Sequence, residues 1–243
     1  MEKIRYHLLD GWRGLLLINM IAYHAIWDLV YLYGVNMPWY RGVPGHTWQR
    51  FICMSFILLS GFCFPLGSKG LKRGITVFLG GVIVTAVTMV VLPDMPALFG
   101  VLTLIGSCMI LAVPLHKVFS KIPSLLGFAM SLLLFIILYD INDGIIDLFY
   151  TTVNVPESFF ANYFTAYLGF PQPGFSSSDY FPILPWVFLF FTGYFFNGLV
   201  SKYLPKVKLL RLRVPMLSFC GRNSLIIYLL HQPVIYIVLM LVM

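Results

Sequence analysis

Runs of about 20 mostly apolar residues recur along almost the whole chain, and a helix of about that length crosses the hydrocarbon of a bilayer. The runs lie near residues 8–33, 49–67, 74–92, 97–115, 122–139, 183–201 and 216–242, which predicts about seven spans. The chain is 60% hydrophobic and 10% charged with a mean hydropathy of +0.89, more apolar side chain than any soluble core requires. The expected fold is therefore all-α: a polytopic membrane helix bundle forming a single domain over residues 1–243, with no internal repeat and no low-complexity linker.

Basic residues give the orientation. One set of alternate loops holds Lys3, Arg5, Lys69, Lys72, Arg73, Lys117, Lys121, Lys202, Lys206, Lys208, Arg211 and Arg213, and the other set holds only Arg41 and Arg50. The excess marks the cytoplasmic side, so the N-terminus is expected there and residues 140–182 outside. That outer loop lacks Lys and Arg but carries Asp140, Asp143, Asp147, Glu157 and Asp179. The net charge of +7 is thus a topology signal, and the patch from Lys202 to Arg213 suits lipid phosphates rather than nucleic acid. The first span has no small-residue cleavage site and reads as a retained signal anchor.

The first span also carries charge. In "LLDGWRGLLLINMIAYHAIWDLVYLYG", with Arg13 at 0° on an ideal helix, His24 falls near 20° and Asp10 and Asp28 both near about 60°. All four share one face, with His24 roughly 16 Å deeper than Arg13 and Asp28 one turn beyond it. Asp10 and Arg13 read either as a local i,i+3 pair or as the start of a polar track through the membrane. An ionisable group at the depth of His24 is a functional candidate by default, and a carboxylate from Asp28 on one ring nitrogen would orient the imidazole as a general base.

The last span, "GRNSLIIYLLHQPVIYIV", aligns Ser224, Tyr228 and His231 on one helical face, while Pro233 leaves the carbonyl of Leu229 without its usual donor. Arg222 lies about 180° from His231 on an ideal helix, so the two serve one cavity only if the helix is reoriented. His231 reads as a reacting group or as a hydrogen bond joining two helices. "PGHTWQRF" sets His46, Trp48, Gln49 and Arg50 just before the second span, as interface residues or, for His46, within reach of an acceptor arriving from outside.

Cys53, Cys63, Cys108 and Cys220 fall inside spans without a C-x-x-C pair and read as small packing residues; no metal is expected. In the outer loop, "SFFANYFTAYLG" predicts an interfacial helix capped by Ser158 and ended by Gly169, with an aromatic stripe that serves as a membrane anchor or as a lid.

Five motifs in order, "LDGWRGLLLINMIAYH", "FILLSGF", "FGVLTLIG", "DYFPILPW" and "GRNSLIIYLLHQPV", resemble bacterial integral membrane proteins of the heparan-alpha-glucosaminide N-acetyltransferase catalytic-domain family. The first and last are also similar to the wider acyltransferase-3 group. The resemblance implies transfer of an acyl group, commonly acetyl, from cytosolic acetyl-CoA or another acyl-CoA to an acceptor on the far side of the membrane; a hydroxyl or amine of a glycan or lipid-linked sugar is the expected acceptor, and the compact chain without an N-x-S/T site points to a bacterial inner membrane. It implies that Arg13 with Asp10, and Arg222, Lys72 and Arg73, lie where CoA phosphates bind, and that His24 lies near the end of the pantetheine arm. The lysosomal enzyme that names the family is larger and has asparagine at the place of His24. Its catalytic histidine lies in the first luminal loop, which leaves both His24 and His46 open as the base. His231 or Tyr228 would polarise the oxyanion. A homo-oligomer is compatible with this reading. Two others are a proton-coupled transporter of small molecules or lipids, and a non-enzymatic subunit whose buried polar groups hold helices together.

Overall fold

A computed structural model describes residues 6–201, 203–207, 210, 212 and 214–243. Lys3, Arg5, Lys202, Lys208, Arg211 and Arg213, which contribute to the orientation reading, lie outside the described residues, as does much of the basic patch. The protein is an all-α polytopic membrane helix bundle. Helices are imposed by the solvent, because hydrocarbon offers backbone N–H and C=O groups no partner.

The chain forms two compact units, Met1–Phe56 with Ser201–Met243, and Ile57–Val200. The first contains α1 (His7–Tyr31), the short α2 (Pro38–Arg41), the N-terminal part of α3 (Val43–Cys63), α9 (Pro215–Arg222) and α10 (Ser224–Val242). The second contains the rest of α3, α4 (Gly70–Val91), α5 (Val101–Phe119), α6 (Ser124–Ile137), α7 (Tyr163–Leu168), α8 (Trp186–Val200) and a small hairpin.

The apolar runs become helices with instructive shifts at their ends. α3 starts at Val43 rather than near 49, since Pro44 suits a first helical turn, whose N–H groups need no intrahelical acceptor. The run expected over 183–201 becomes helical only from Trp186, after Pro185. The last run breaks at Asn223 into α9 and α10, whereas α10 continues through Pro233. Among the described residues, five helical stretches are long and apolar enough to cross a membrane, and α8, at 15 residues, is a shorter apolar helix.

Small residues let the helices of the first unit touch backbone to backbone. A Cβ on Gly14 would occupy the position of the Leu217 carbonyl, and one on Gly221 that of the Asp10 carbonyl, so α1 and α9 meet without intervening side chains. In the second unit Gly81 meets Thr103 and Gly106 meets Phe78 between α4 and α5, while Gly61 meets the Phe190 carbonyl between α3 and α8.

The outer loop is more ordered than its sequence suggests. Ile145–Asp147 (β1) pairs antiparallel with Thr152–Asn154 (β2). The loop helix is capped by Asn162, not Ser158: the Asn162 side chain accepts from Phe164 N at 2.9 Å and Thr165 N at 3.1 Å, and Thr165 Oγ1 accepts from Asn162 N at 3.0 Å. This reciprocal box starts α7 at Tyr163, after a separate 3-10 turn over Glu157–Phe159. Gly169, at φ 128°, ends it where expected.

Asp179 fastens the end of the loop to α5 by accepting from Val101 N at 3.1 Å. Burial pushes its carboxyl up to about 6 against the pull of that bond. A carboxyl raised in the folded state stabilises the fold at low pH, and that contribution is lost as pH rises from about 4 through about 6. Asp179→Asn keeps an oxygen acceptor and removes the charge. Its thermal midpoint relative to wild type is expected to rise between pH 4 and about pH 7; a constant difference across the range would show that Asp179 does not titrate with folding. Gly14→Ala is expected to cost about 1–3 kcal/mol by overpacking, and an unchanged midpoint in detergent would refute the backbone contact of α1 with α9.

Candidate functional site

His24 and His231 meet in the first unit, their ring centroids 4.8 Å apart and their planes at 72°. They come from α1 and α10, so no local spacing in the sequence joins them. Each ring is tethered to its own helix: His24 Nδ1 donates to the Met20 carbonyl at 2.9 Å, and His231 Nδ1 to the Tyr228 carbonyl. A carbonyl only accepts, so in the neutral rings both Nδ1 atoms carry the proton and both Nε2 atoms are bare acceptors. His231 Nε2 is buried without a hydrogen-bond partner among the described residues.

This geometry corrects one sequence expectation. Asp28 does not hold the imidazole of His24, because the helix carbonyl four residues back already takes Nδ1. Asp28 is fully buried and accepts instead from Gln232 Nε2 at 2.6 Å, a bond that joins α1 to α10 beside the histidine pair. The Tyr228 ring lies 5.3 Å from His231.

Aromatic rings surround the pair on the α1 side. Tyr23 packs at 5.7 Å from His24, at 5.0 Å from Tyr40 and at 5.5 Å from Trp48. Tyr40 OH donates to the Tyr23 carbonyl at 3.1 Å, and Trp48 Nε1 to Asn19 Oδ1 at 3.2 Å, so α2 and α3 are both tied to α1 by polar bonds. Arg41 adds a bond to the Val30 carbonyl at 3.4 Å and lies over the Tyr31 ring.

At the other end of α1, Asp10 and Arg13 form the local i,i+3 pair at 3.6 Å. The contact of Asp10 with Gly221 brings this turn beside the end of α9, where Arg222 is exposed and its Nε donates to Ser218 O at 3.2 Å. The break at Asn223 separates the directions of Arg222 and His231, which one straight helix would hold opposed. Lys72 and Arg73 belong to the second unit: Lys72 is exposed, and Arg73 is half-buried over the Phe64 ring at 6.0 Å with its guanidinium against Gly67. His46 is exposed in the first turn of α3, inside the helix rather than ahead of it. Among the described residues no three His, Cys, Asp or Glu side chains are grouped to hold a metal ion.

Gln232 is the site residue that sequence reasoning missed. It stands beside His231 in "HQP", but the signal that picks it out is its bond to a carboxylate 204 positions away.

Fold and composition define an integral membrane protein. The family model for heparan-alpha-glucosaminide N-acetyltransferase, catalytic, matches residues 5–233, and the chain belongs to this family of acetyltransferases. No curated protein and no solved structure matches the chain.

The wall around His24 depends on Tyr40, which is 3% exposed. Tyr40→Phe leaves the ring and removes its hydrogen bond to the Tyr23 carbonyl, and is expected to lower stability by about 1 kcal/mol. An unshifted melting midpoint would show that this bond contributes nothing.

Proposed function

We propose that the protein is a membrane-embedded acyltransferase that moves an acetyl group from cytosolic acetyl-CoA to a hydroxyl or amine acceptor at the outer side of a bacterial inner membrane, a glycan or lipid-linked sugar. The observation that carries this reading is the pair of imidazoles in contact, His231 buried and His24 half-buried, with each Nδ1 tethered to a carbonyl of its own helix. The family supplies the acetyl transfer and the donor class. The excess of basic residues in one set of loops supports a cytoplasmic N-terminus.

In the proposed reaction His24 Nε2 takes the proton of the acceptor as its oxygen or nitrogen attacks the thioester carbonyl. The new bond to the acyl carbon forms, the carbon–sulfur bond breaks, and the thiolate leaves with the proton returned by the imidazolium. The Tyr228 hydroxyl stabilises the oxyanion. Arg13, held by Asp10, and exposed Arg222 provide cations for the CoA phosphates at the start of α1. This assignment is confined to the first unit, and Lys72 and Arg73 have no role in it.

Calorimetry with acetyl-CoA tests the donor site: Arg13→Ala is expected to weaken binding at least tenfold, and His24→Ala to spare it. Turnover tests the base. His24→Ala is expected to lose about 10²- to 10⁴-fold in rate, whereas His46→Ala stays within threefold of wild type. The reverse pattern would move the base to His46. Substrate movement in vesicles lacking any acyl-CoA would favour a transporter instead.

A further inference from the structure

Beside the bond between Asp28 and Gln232, three buried atoms have no hydrogen-bond partner among the described residues: Asp28 Oδ2, Gln232 Oε1 and His231 Nε2. All three are acceptors, the last because the Nδ1 of its ring already carries the proton. Asp28 is 0% exposed, and its one bond is to a neutral amide. Buried polar groups in native proteins are rarely left unmet, and an intramembrane carboxylate is costly. A group that meets Asp28 Oδ2 and Gln232 Oε1 must bring donors and no competing acceptor charge.

The two free oxygens cannot be far apart. Each is joined through one carbon to the atom that makes the 2.6 Å bond, and both groups are planar. We propose that Asp28 and Gln232 form a clamp for a vicinal diol, one hydroxyl donating to Asp28 Oδ2 and its neighbour to Gln232 Oε1, with His231 Nε2 taking a third donor. Asp28 and Gln232 are positioning residues: they hold the molecule and leave the proton transfer to the histidines. The clamp rests on the acyl-transfer reading only for what happens to the bound molecule next. A sugar ring and a glycerol headgroup both present such a diol.

Ligand-observed magnetisation-transfer NMR on the protein in a hydroxyl-free detergent tests this with three probes: methyl glucoside, phosphatidylglycerol and cyclohexanol. Binding of methyl glucoside or of the phosphatidylglycerol headgroup, with cyclohexanol at least tenfold weaker, is the expected result, and the diol that binds identifies the source. Asp28→Asn replaces the charged acceptor by an N–H, so the hydroxyl must turn to accept from a neutral amide where it donated to a carboxylate, while the bond from Gln232 remains. It is expected to weaken the diol at least tenfold, as is Gln232→Leu, while His46→Ala is not. If Gln232→Leu fails to fold, the isosteric Asp28→Asn carries the test alone. Diols that bind no better than cyclohexanol, or that bind Asp28→Asn as they bind wild type, overturn the clamp. Thiol release from acetyl-CoA is followed in parallel. Diol binding without thiol release overturns the acyltransfer reading and leaves the clamp standing; thiol release with no Asp28-dependent diol binding does the opposite.

Discussion

Backbone contact between α1 and α9 is the constraint on which the first unit depends. Gly14 lies against the Leu217 carbonyl and Gly221 against the Asp10 carbonyl, with no side chain between. In hydrocarbon, apolar side chains gain little by leaving lipid for protein, so helices associate where small residues allow close packing and where polar groups find partners. Both devices are used along α1: glycine contact near its start, and further along the bond from Gln232 to Asp28 that ties it to α10. The histidine pair lies between these two fixings.

Each imidazole of the pair is tethered to its own helix. A free imidazole in an apolar bundle would rotate among partners and switch tautomers. Here each Nδ1 is committed to a carbonyl of its own helix, which fixes both the tautomer and the ring direction without a second side chain. The carboxylate nearby in sequence, Asp28, is held instead by Gln232 of α10.

The second unit solves a different problem, how to order a long polar loop beside apolar helices. Asn162 and Thr165 start α7, Asp179 binds the first turn of α5, and Asn142 Nδ2 donates to the Gly169 carbonyl at 2.7 Å. Each device meets backbone groups that a loop would otherwise leave to water. Ser158 looked like the cap because it opens the aromatic stripe; Asn162 is the cap because its oxygen reaches two N–H groups while Thr165 answers from the third helical position.

Most of the helices were legible from the sequence, because in a bilayer length and hydrophobicity alone decide which segments become spans. So was the local pairing of Asp10 with Arg13, which depends on one helix and its fixed rise. Gly169 could be foreseen as the end of the loop helix, since a positive φ suits no other residue so well. The meeting of His24 with His231, the capture of Asp28 by Gln232 and the break at Asn223 were decided by tertiary structure. A helical wheel ranks neighbours on one helix only, and it made Asp28 the natural partner of His24. Which donor reaches a buried carboxylate depends on the rotation and register of a second helix, which the pattern of the first helix does not contain.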